Sequence, residues 1–298
     1  MKKKRGGKRS KPSSISHGRP PIIRKPTTTL SSKATRSLIR GHHQLCKQHV
    51  IATAQGDLAT AETLQAQLEQ RGGLLKYQEA SINGQSSERG GDSSKVLMDW
   101  LKPFADGLRR LPASTTTAAG AKLRMLEVGA LSRDNVCARS GCFDMTRIDL
   151  HPQDDSILQQ DFMARPFPRT ELEMFDIISL SLVLNYVPIS VSRGEMLRRL
   201  SGFLRPVADR DEEWRGVFPS VFMVLPSPCV TNSRYLNEAR LEEIMSYLGF
   251  SRARRKLSAK LIYYLWRHES GPALGEVSFK KKEVHPGRIR NNFAIVLK

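Results

Sequence analysis

The stretch LRMLEVGALSRDNVCARSGCFDMTRID, residues 123–149, decides the fold of this chain. It contains two short apolar runs, 123–128 and 144–149, each of which predicts a buried β-strand that ends at a turn. Gly129 follows the first run, and Asp149 lies 20 residues beyond that glycine. This spacing is typical of doubly wound sheets, in which a carboxylate at the second strand end binds ribose hydroxyls. The stretch therefore predicts a site for a nucleotide-like cofactor.

Strands and helices alternate after this stretch, which favours an α/β fold with a mostly parallel sheet. The further predicted elements are helices at about 132–140, 190–204 and 234–248, a short helix after Asp149, and strands at 175–181, 221–225, 257–266 and 293–297. The last two strands are expected to pair as a C-terminal antiparallel hairpin that closes the sheet.

We expect three regions along the chain: a disordered basic tail at 1–32, a small helical region with a polar loop at 33–101, and the α/β domain at 102–298. Apolar residues recur at helical spacing in the second region, and Asp57 is expected to cap the second of two helices there. The polar, glycine-rich residues 74–95 are either an exposed linker or a loop that covers the cofactor.

The positive charge of the chain is concentrated near its beginning. The net charge is +19, and residues 1–56 carry 14 Lys and Arg but no acidic residue. Nucleic acid is favoured as the partner over a membrane, because the tail lacks an amphipathic apolar face. The run at 2–11 also fits a nuclear or nucleolar address, with a solubilising tail as the alternative. No transmembrane or secretory segment and no CxxC pair is evident, so we expect a soluble intracellular protein without a disulfide scaffold or a bound metal.

Five residues near predicted strand ends are candidates for binding the cofactor. Gly129 would let the backbone approach the ligand because it has no Cβ, and Asp149 would accept hydrogen bonds from both ribose hydroxyls. Asp161 offers an acceptor for an adenine amino group, Phe162 offers an aromatic face, and Ser181 ends a predicted strand. The alternatives are a structural turn at Gly129 and a helix cap at Asp149.

Five segments together carry a resemblance to a known family. They read RGGDSSK at 89–95, LEVG at 126–129, IDL at 148–150, QDF at 160–162 and SLSLVLNYVP at 179–188. In these segments the chain resembles the fungal 25S ribosomal RNA adenine-N(1)-methyltransferase family. The resemblance implies a Rossmann-like class I methyltransferase with a seven-stranded sheet, S-adenosylmethionine as cofactor, and a nucleolar enzyme of ribosome biogenesis. It assigns cofactor roles to Gly129, Asp149, Asp161, Phe162, Ser181 and Arg89.

Asn185 and Tyr186 are the candidates for the reaction itself, because they follow the strand whose end faces the transferred methyl group. Asn185 would bond the edge of the acceptor base, and Tyr186 would stack on that base. Alternatively, Asn185 caps the next helix and Tyr186 packs in the core. Basic residues around the pocket and in the tail are expected to contact ribosomal RNA or a pre-60S particle: Arg252, Arg254, Arg255, Lys256, Lys280, Lys281, Lys282, Arg288 and Arg290.

The chain also resembles animal relatives that sense S-adenosylmethionine in growth signalling. A non-catalytic sensor that acts through a protein partner is therefore the alternative function. The basic tail favours the enzyme, because such a tail suits ribosome assembly and has no evident use in a cytosolic sensor. The oligomeric state and the modified nucleotide are left open.

Overall fold

A central β-sheet organises the part of the chain that the computed structural model describes, residues 32–73, 91–110, 122–206, 216–269 and 277–298. Its strands are β1 (Leu123–Val128), β2 (Phe143–Asp149), β3 (Leu158–Gln159), β4 (Ile177–Ser181), β5 (Ser220–Pro226), β6 (Phe250–Leu257) and β7 (Leu261–His268). They lie in the order β3-β2-β1-β4-β5-β7-β6. Strands β1 to β5 are parallel, and β7 runs antiparallel to both of its neighbours. The predicted sheet, mostly parallel with an antiparallel hairpin near the C-terminus, is confirmed.

The helices lie before the sheet and between its strands. They are α1 (Ser32–Ala54), α2 (Leu58–Gln70), α3 (Ser94–Arg110), α4 (Val136–Arg139), α5 (Ser190–Leu200), α6 (Pro228–Thr231) and α7 (Glu238–Tyr247). Helices α1 and α2 share a small core of their own. The Asp57 side chain accepts a hydrogen bond from the Thr60 N–H at 3.1 Å, so the predicted cap of α2 is confirmed.

Three expectations for the N-terminal part of the chain remain predictions. The basic tail and most of the polar loop, including Arg89, lie outside the described residues. Helix α3 extends from Ser94 to Arg110 and so crosses residue 101. The expected boundary at residue 101 between the helical region and the α/β domain also stays a prediction.

The closing hairpin is built from different segments than the sequence pattern indicates. Strands β6 and β7 form it, so the predicted pairing of 257–266 with 293–297 was wrong. Residues 293–297 instead run beside α5, where the Val296 N–H donates to the Ser190 carbonyl at 3.0 Å. Charged side chains are common on edge strands because they prevent pairing with other chains. In β6 such charges replace the apolar pattern by which a strand is recognised in a sequence. Most of β6 is exposed.

Several predicted helices are shorter than expected. The helix predicted at 132–140 is only the four-residue α4. It begins after Asn135, and the Asn135 side chain caps it by accepting a hydrogen bond from the Ala138 N–H at 2.9 Å. The short helix predicted between β2 and β4 is a single 3-10 turn, Glu171–Glu173, and the chain first adds the edge strand β3. The helix predicted at 234–248 begins at Glu238 and ends before Gly249, whose φ of +86° favours glycine.

Apolar side chains cover both faces of the sheet and form two separate clusters. Tyr264 and Trp266 of β7 are 0% and 1% exposed, so their aromatic rings belong to the core rather than to a surface for RNA. Among the described residues, no helix is both long enough and apolar enough to cross a membrane.

Gly194 provides a sharp test of the packing between α5 and the C-terminal segment. A Cβ on Gly194 would lie 1.9 Å from the Val296 carbonyl oxygen. Alanine in a helix ordinarily gains roughly 0.5–1 kcal/mol over glycine, whereas overpacking costs roughly 1–3 kcal/mol or more. We expect Gly194→Ala to lower the free energy of unfolding by about 2 kcal/mol, as measured by urea denaturation.

Gly202→Ala is the matched control for this substitution. Its Cβ would meet the Phe167 ring at 2.6 Å, but that ring is 50% exposed and can rotate away. The loss of stability should therefore be clearly smaller than for Gly194→Ala. Stabilisation by Gly194→Ala would show that the close contact with Val296 does not exist in solution.

Candidate cofactor site

The strand ends predicted to bind the cofactor meet at one edge of the sheet. Gly129, Asp149 and Ser181 stand at the carboxyl ends of β1, β2 and β4, which are neighbours in the sheet. Asp161 follows the adjacent β3. The strand order reverses between β1 and β4, and the crevice outside such a point is where open α/β sheets bind ligands. The structure thus brings together the candidate residues of the described chain.

Gly129 is required by the backbone itself. Its φ is +72°, a value that only glycine adopts easily, and its N–H donates to the Ile148 carbonyl at 2.8 Å. A Cβ at this position would lie 2.7 Å from the Val183 side chain. The nearest group to the missing side chain is therefore the loop after β4. The predicted approach of a cofactor to Gly129 stays a prediction.

Asp149 lies half-buried at the turn after β2. Its Oδ1 accepts a hydrogen bond from the His151 N–H at 2.8 Å, while Oδ2 has no hydrogen-bond donor among the described residues. Burial raises the pKa of the carboxyl, and the His151 hydrogen bond partly opposes that effect. One carboxylate oxygen thus fixes the turn, and the other can accept from a ligand hydroxyl.

Asp161 and Phe162 differ in what they can offer to a ligand. Asp161 is exposed, and its Oδ1 accepts from the Met163 N–H at 2.8 Å. Phe162 is only 3% exposed, and its ring centroid lies 5.2 Å from that of Phe203. Core packing against Phe203 already uses that ring, and the predicted role of Phe162 at the adenine of the cofactor stays a prediction.

The described end of the polar loop, residues 91–94, lies on the crevice. The hydroxyl oxygens of Ser93 and Ser181 are 2.8 Å apart. The Asp92 carboxylate accepts from the Val136 N–H at 2.7 Å and from the Ser94 N–H at 2.9 Å. These bonds join the loop to α4 and to the end of β4. Sequence reasoning singled out Arg89 in this segment and missed Asp92 and Ser93, although a glycine pair followed by Asp-Ser-Ser is the signal.

Glu127 is a further residue whose role the sequence reasoning missed. Its side chain is 18% exposed, and both carboxylate oxygens accept from the Asn135 amide nitrogen at 3.0 Å. The Nε of Arg147 lies 3.6 Å away. Burial raises the pKa of Glu127 to about 7, although Asn135 and Arg147 oppose the shift. A carboxyl that changes charge near neutral pH thus lies beneath the crevice.

The loop after β4, residues 182–189, contains the two residues predicted to act on the acceptor. Leu182 has a φ of +58°, which is uncommon for a residue other than glycine and often marks a functional turn. The Asn185 Oδ1 atom is buried without a hydrogen-bond partner among the described residues. The Tyr186 N–H donates to the Val183 carbonyl at 2.8 Å, so both residues lie in a tight turn beside Gly129.

The strand order, with β7 inserted between β5 and β6, defines the fold of the Rossmann-like methyltransferases. A family model described as 25S rRNA (adenine(2142)-N(1))-methyltransferase, Bmt2, matches residues 62–295. The chain belongs to this family. Family and fold together imply S-adenosylmethionine as the methyl donor.

Two characterised relatives support the family assignment. The chain is 38% identical to the 25S rRNA adenine-N(1) methyltransferase of Schizosaccharomyces pombe over 262 residues, which cover 87% of this chain and 89% of the relative. It is 36% identical to the 25S rRNA (adenine(2142)-N(1))-methyltransferase of Saccharomyces cerevisiae over 260 residues, covering 86% and 70%.

A solved O-methyltransferase family protein from Burkholderia thailandensis is also similar. It is 10% identical, with a TM-score of 0.37, over 82% of this chain and 74% of that protein. The fold of this chain is defined by the order and direction of its strands.

Glu127 is expected to make the stability of the protein depend on pH. Its folded pKa of about 7 exceeds its usual value of 4.5, so the unfolded chain releases this proton at lower pH than the folded chain does. Glu127 therefore adds to the free energy of unfolding in full below about pH 4.5, and this stabilisation is lost as the pH rises toward 7. The loss amounts to about 3 kcal/mol at most.

Urea denaturation at pH 5 and pH 8 measures this effect. Glu127→Gln should remove most of the decline in the free energy of unfolding, because the amide stays neutral and can still accept from Asn135. Glu171→Gln, at an exposed position in the same domain, should leave the decline unchanged. An equal decline in wild type and Glu127→Gln would place the titrating group elsewhere.

Proposed function

We propose that this protein methylates N(1) of an adenine in 25S ribosomal RNA with S-adenosylmethionine as the donor. Membership of a family named for this reaction supports the proposal, and so does the buried, unpartnered Asn185 Oδ1 beside the crevice. Of these, the Asn185 oxygen is the structural observation that carries the proposal. A buried acceptor without a donor is costly unless a ligand supplies the missing group.

The residues around the crevice fit this cofactor. We assign the ribose hydroxyls to Asp149, whose Oδ2 faces no protein donor in the described chain, and the adenine amino group to the exposed Asp161. Gly129 and the Ser93–Ser181 pair are assigned to the methionine end. Phe162 supports the site from the core rather than by stacking. The assignment of Arg89 rests on the family resemblance alone.

The reaction needs orientation more than it needs a base. S-adenosylmethionine, when bound, supplies an electrophilic methyl group on a sulfonium. The N(1) atom of adenine has a free lone pair, so no residue must remove a proton before attack. Asn185 Oδ1 would accept a hydrogen bond from the neighbouring N6 amino group and thereby align N(1). That bond strengthens as positive charge develops on the ring, which is how selective stabilisation of a transition state arises.

Tyr186 and the target base complete the proposed arrangement. N(1) lies on the Watson–Crick edge, so the adenine must be unpaired or turned out of a helix before it reacts. We assign the stacking on that base to Tyr186, which is half-buried and follows Asn185 in the same turn. The two relatives described above are both named as methyltransferases, and no observation favours the non-catalytic alternative.

The cellular setting follows from the substrate. Ribosomal RNA and pre-60S particles assemble in the nucleolus, so we propose a nuclear and nucleolar location with such a particle as partner. The basic tail, with the lysine- and arginine-rich run at 2–11, supports this location.

Asp149 and Asn185 are expected to separate cofactor binding from methyl transfer. Asp149→Ala removes a charged acceptor from the ribose. The free energy with which this variant binds S-adenosylmethionine should therefore weaken by about 1.5–3 kcal/mol, as measured by calorimetric titration. Asn185→Ala should leave that affinity nearly unchanged. Its single-turnover methylation of a transcribed 25S rRNA fragment should nevertheless fall on the order of 100-fold, the cost of a misaligned reactant.

Thermal unfolding of both variants provides the control. The Asn185 side chain does not cap α5, which begins after Ile189 without a side-chain cap. If Asn185 instead serves only to stabilise the turn after β4, Asn185→Ala should lower the melting temperature and cofactor affinity together while methylation per folded molecule persists. That result would leave Asn185 without a catalytic role. A wild-type protein that binds S-adenosylmethionine but never methylates adenine N(1) in the rRNA would reject the proposed function.

A further inference from the structure

Two segments outside the crevice form a continuous surface at the carboxyl edge of the sheet. The first is 227–237, which follows β5, and the second is 280–292, near the C-terminus. They are joined through Asn232 and Asn291: the Asn291 N–H donates to the Asn232 carbonyl at 3.0 Å, and the Arg234 N–H donates to the Asn291 carbonyl at 2.9 Å. We call this pair of segments the basic platform.

The basic platform connects directly to the loop that carries Asn185. The Ser233 hydroxyl donates to the Phe293 carbonyl at 2.6 Å. The next residue, Ala294, accepts from Arg193 at 2.8 Å, and Arg193 also donates to Val187 at 2.8 Å. A short chain of hydrogen bonds thus links the platform to the position where the acceptor base is proposed to react.

The charge of the platform is strongly one-sided. Its two segments contain six basic residues, Arg234, Lys280, Lys281, Lys282, Arg288 and Arg290, and one acidic residue, Glu283, which leaves a net charge of +5. Lys280, Lys282 and Arg288 are exposed, and none of them forms an ion pair within the described part of the chain. Clustered cations of this kind bind the phosphates of nucleic acids.

The other predicted basic cluster is different. Arg255 on β6 pairs with Glu238 at 2.6 Å, and Arg252 lies within 3.7 Å of Glu238 and 3.4 Å of Glu242. These acidic neighbours on α7 neutralise much of the charge of β6. Of these two clusters, the platform therefore carries more positive charge that is not paired with a carboxylate in the described chain, and it also adjoins the loop that carries Asn185.

The platform also offers contacts suited to unpaired nucleotides. The Tyr235 ring is half-buried, with the Lys281 Nζ atom 4.2 Å from its centroid. Ile289, between two arginines, is 93% exposed. Aromatic and apolar groups among cations are typical of surfaces that bind single-stranded nucleic acid.

We propose that the basic platform binds the sugar–phosphate backbone of the rRNA strand beside the target adenine. The inference rests on the proposed function, because an adenine that reacts at N(1) must be unpaired and its strand must pass close to the crevice. The platform holds that strand while Asn185 aligns the base. It therefore contributes to RNA affinity and not to the chemical step.

The test compares two double variants that each remove two positive charges. Lys282→Gln with Arg288→Gln alters the platform. Lys122→Gln with Arg169→Gln alters exposed residues at the opposite, amino edge of the sheet. Binding of a transcribed 25S rRNA fragment is measured by fluorescence anisotropy over a range of salt concentrations. Melting temperature and S-adenosylmethionine affinity are measured for every variant.

The platform variant should bind the RNA roughly 10-fold more weakly, and the slope of log affinity against log salt should fall by about 1 to 2. Its KM for RNA should rise while kcat and cofactor affinity stay unchanged, and the amino-edge variant should behave as wild type. Wild-type RNA affinity in the platform variant would overturn the proposal and point to a protein partner. An equal loss in both variants would overturn it in favour of a general charge effect.

These outcomes are distinct from a failure of the proposed function. RNA binding and its salt dependence are measured without methyl transfer. A wild-type protein that binds the rRNA through the platform but never methylates it would reject the enzyme and retain the surface.

Discussion

The buried guanidinium of Arg193 holds together the parts of the structure on which the site depends. It is 9% exposed, and it donates to the carbonyls of Val187 and Ala294 at 2.8 Å and to that of Pro188 at 3.4 Å. The Cζ atom of the guanidinium lies 4.3 Å from the centroid of the Phe293 ring. Burial lowers the pKa of Arg193 to about 10, yet the group remains charged at neutral pH. Backbone dipoles and an aromatic ring thus take the place of the carboxylate that usually accompanies a buried cation.

This arrangement explains how a C-terminal segment that forms no strand stays in place. Arg193 and the close approach of Gly194 fix residues 293–297 against α5, and the same guanidinium fixes the loop after β4. The basic platform and the turn that contains Asn185 are therefore supported by one helix. Because the carbonyl oxygens that stabilise this charge come from two separate segments, both segments must be present at once.

The crevice depends on a second close contact, between the turns after β1 and β4. Gly129 must adopt a positive φ and leave room for Val183, and Leu182 adopts an uncommon positive φ beside it. Ser93 then reaches Ser181 from the N-terminal side of the domain. The candidate site is thus assembled from three distant parts of the chain. The Asn185 Oδ1 atom, which has no hydrogen-bond partner among the described residues, lies in the turn after β4.

The sequence by itself determined the succession of β1, β2, β4 and β5 along the chain and, to within a residue, the positions where these strands end. Alternating apolar runs, a glycine turn and acidic residues at a fixed spacing are local patterns, and local patterns carry the identity of strands and turns. They predicted strand ends at Gly129, Asp149 and Ser181, and the carboxyl ends of parallel strands meet at one edge; Asp161 was predicted from its spacing after Asp149. Only the tertiary structure decided which segments form the hairpin, that Phe162 is a core ring, and that Asp92, Glu127 and Arg193 support the site. Those outcomes depend on contacts between residues up to 101 positions apart, as for Arg193 and Ala294, and no local pattern records such contacts.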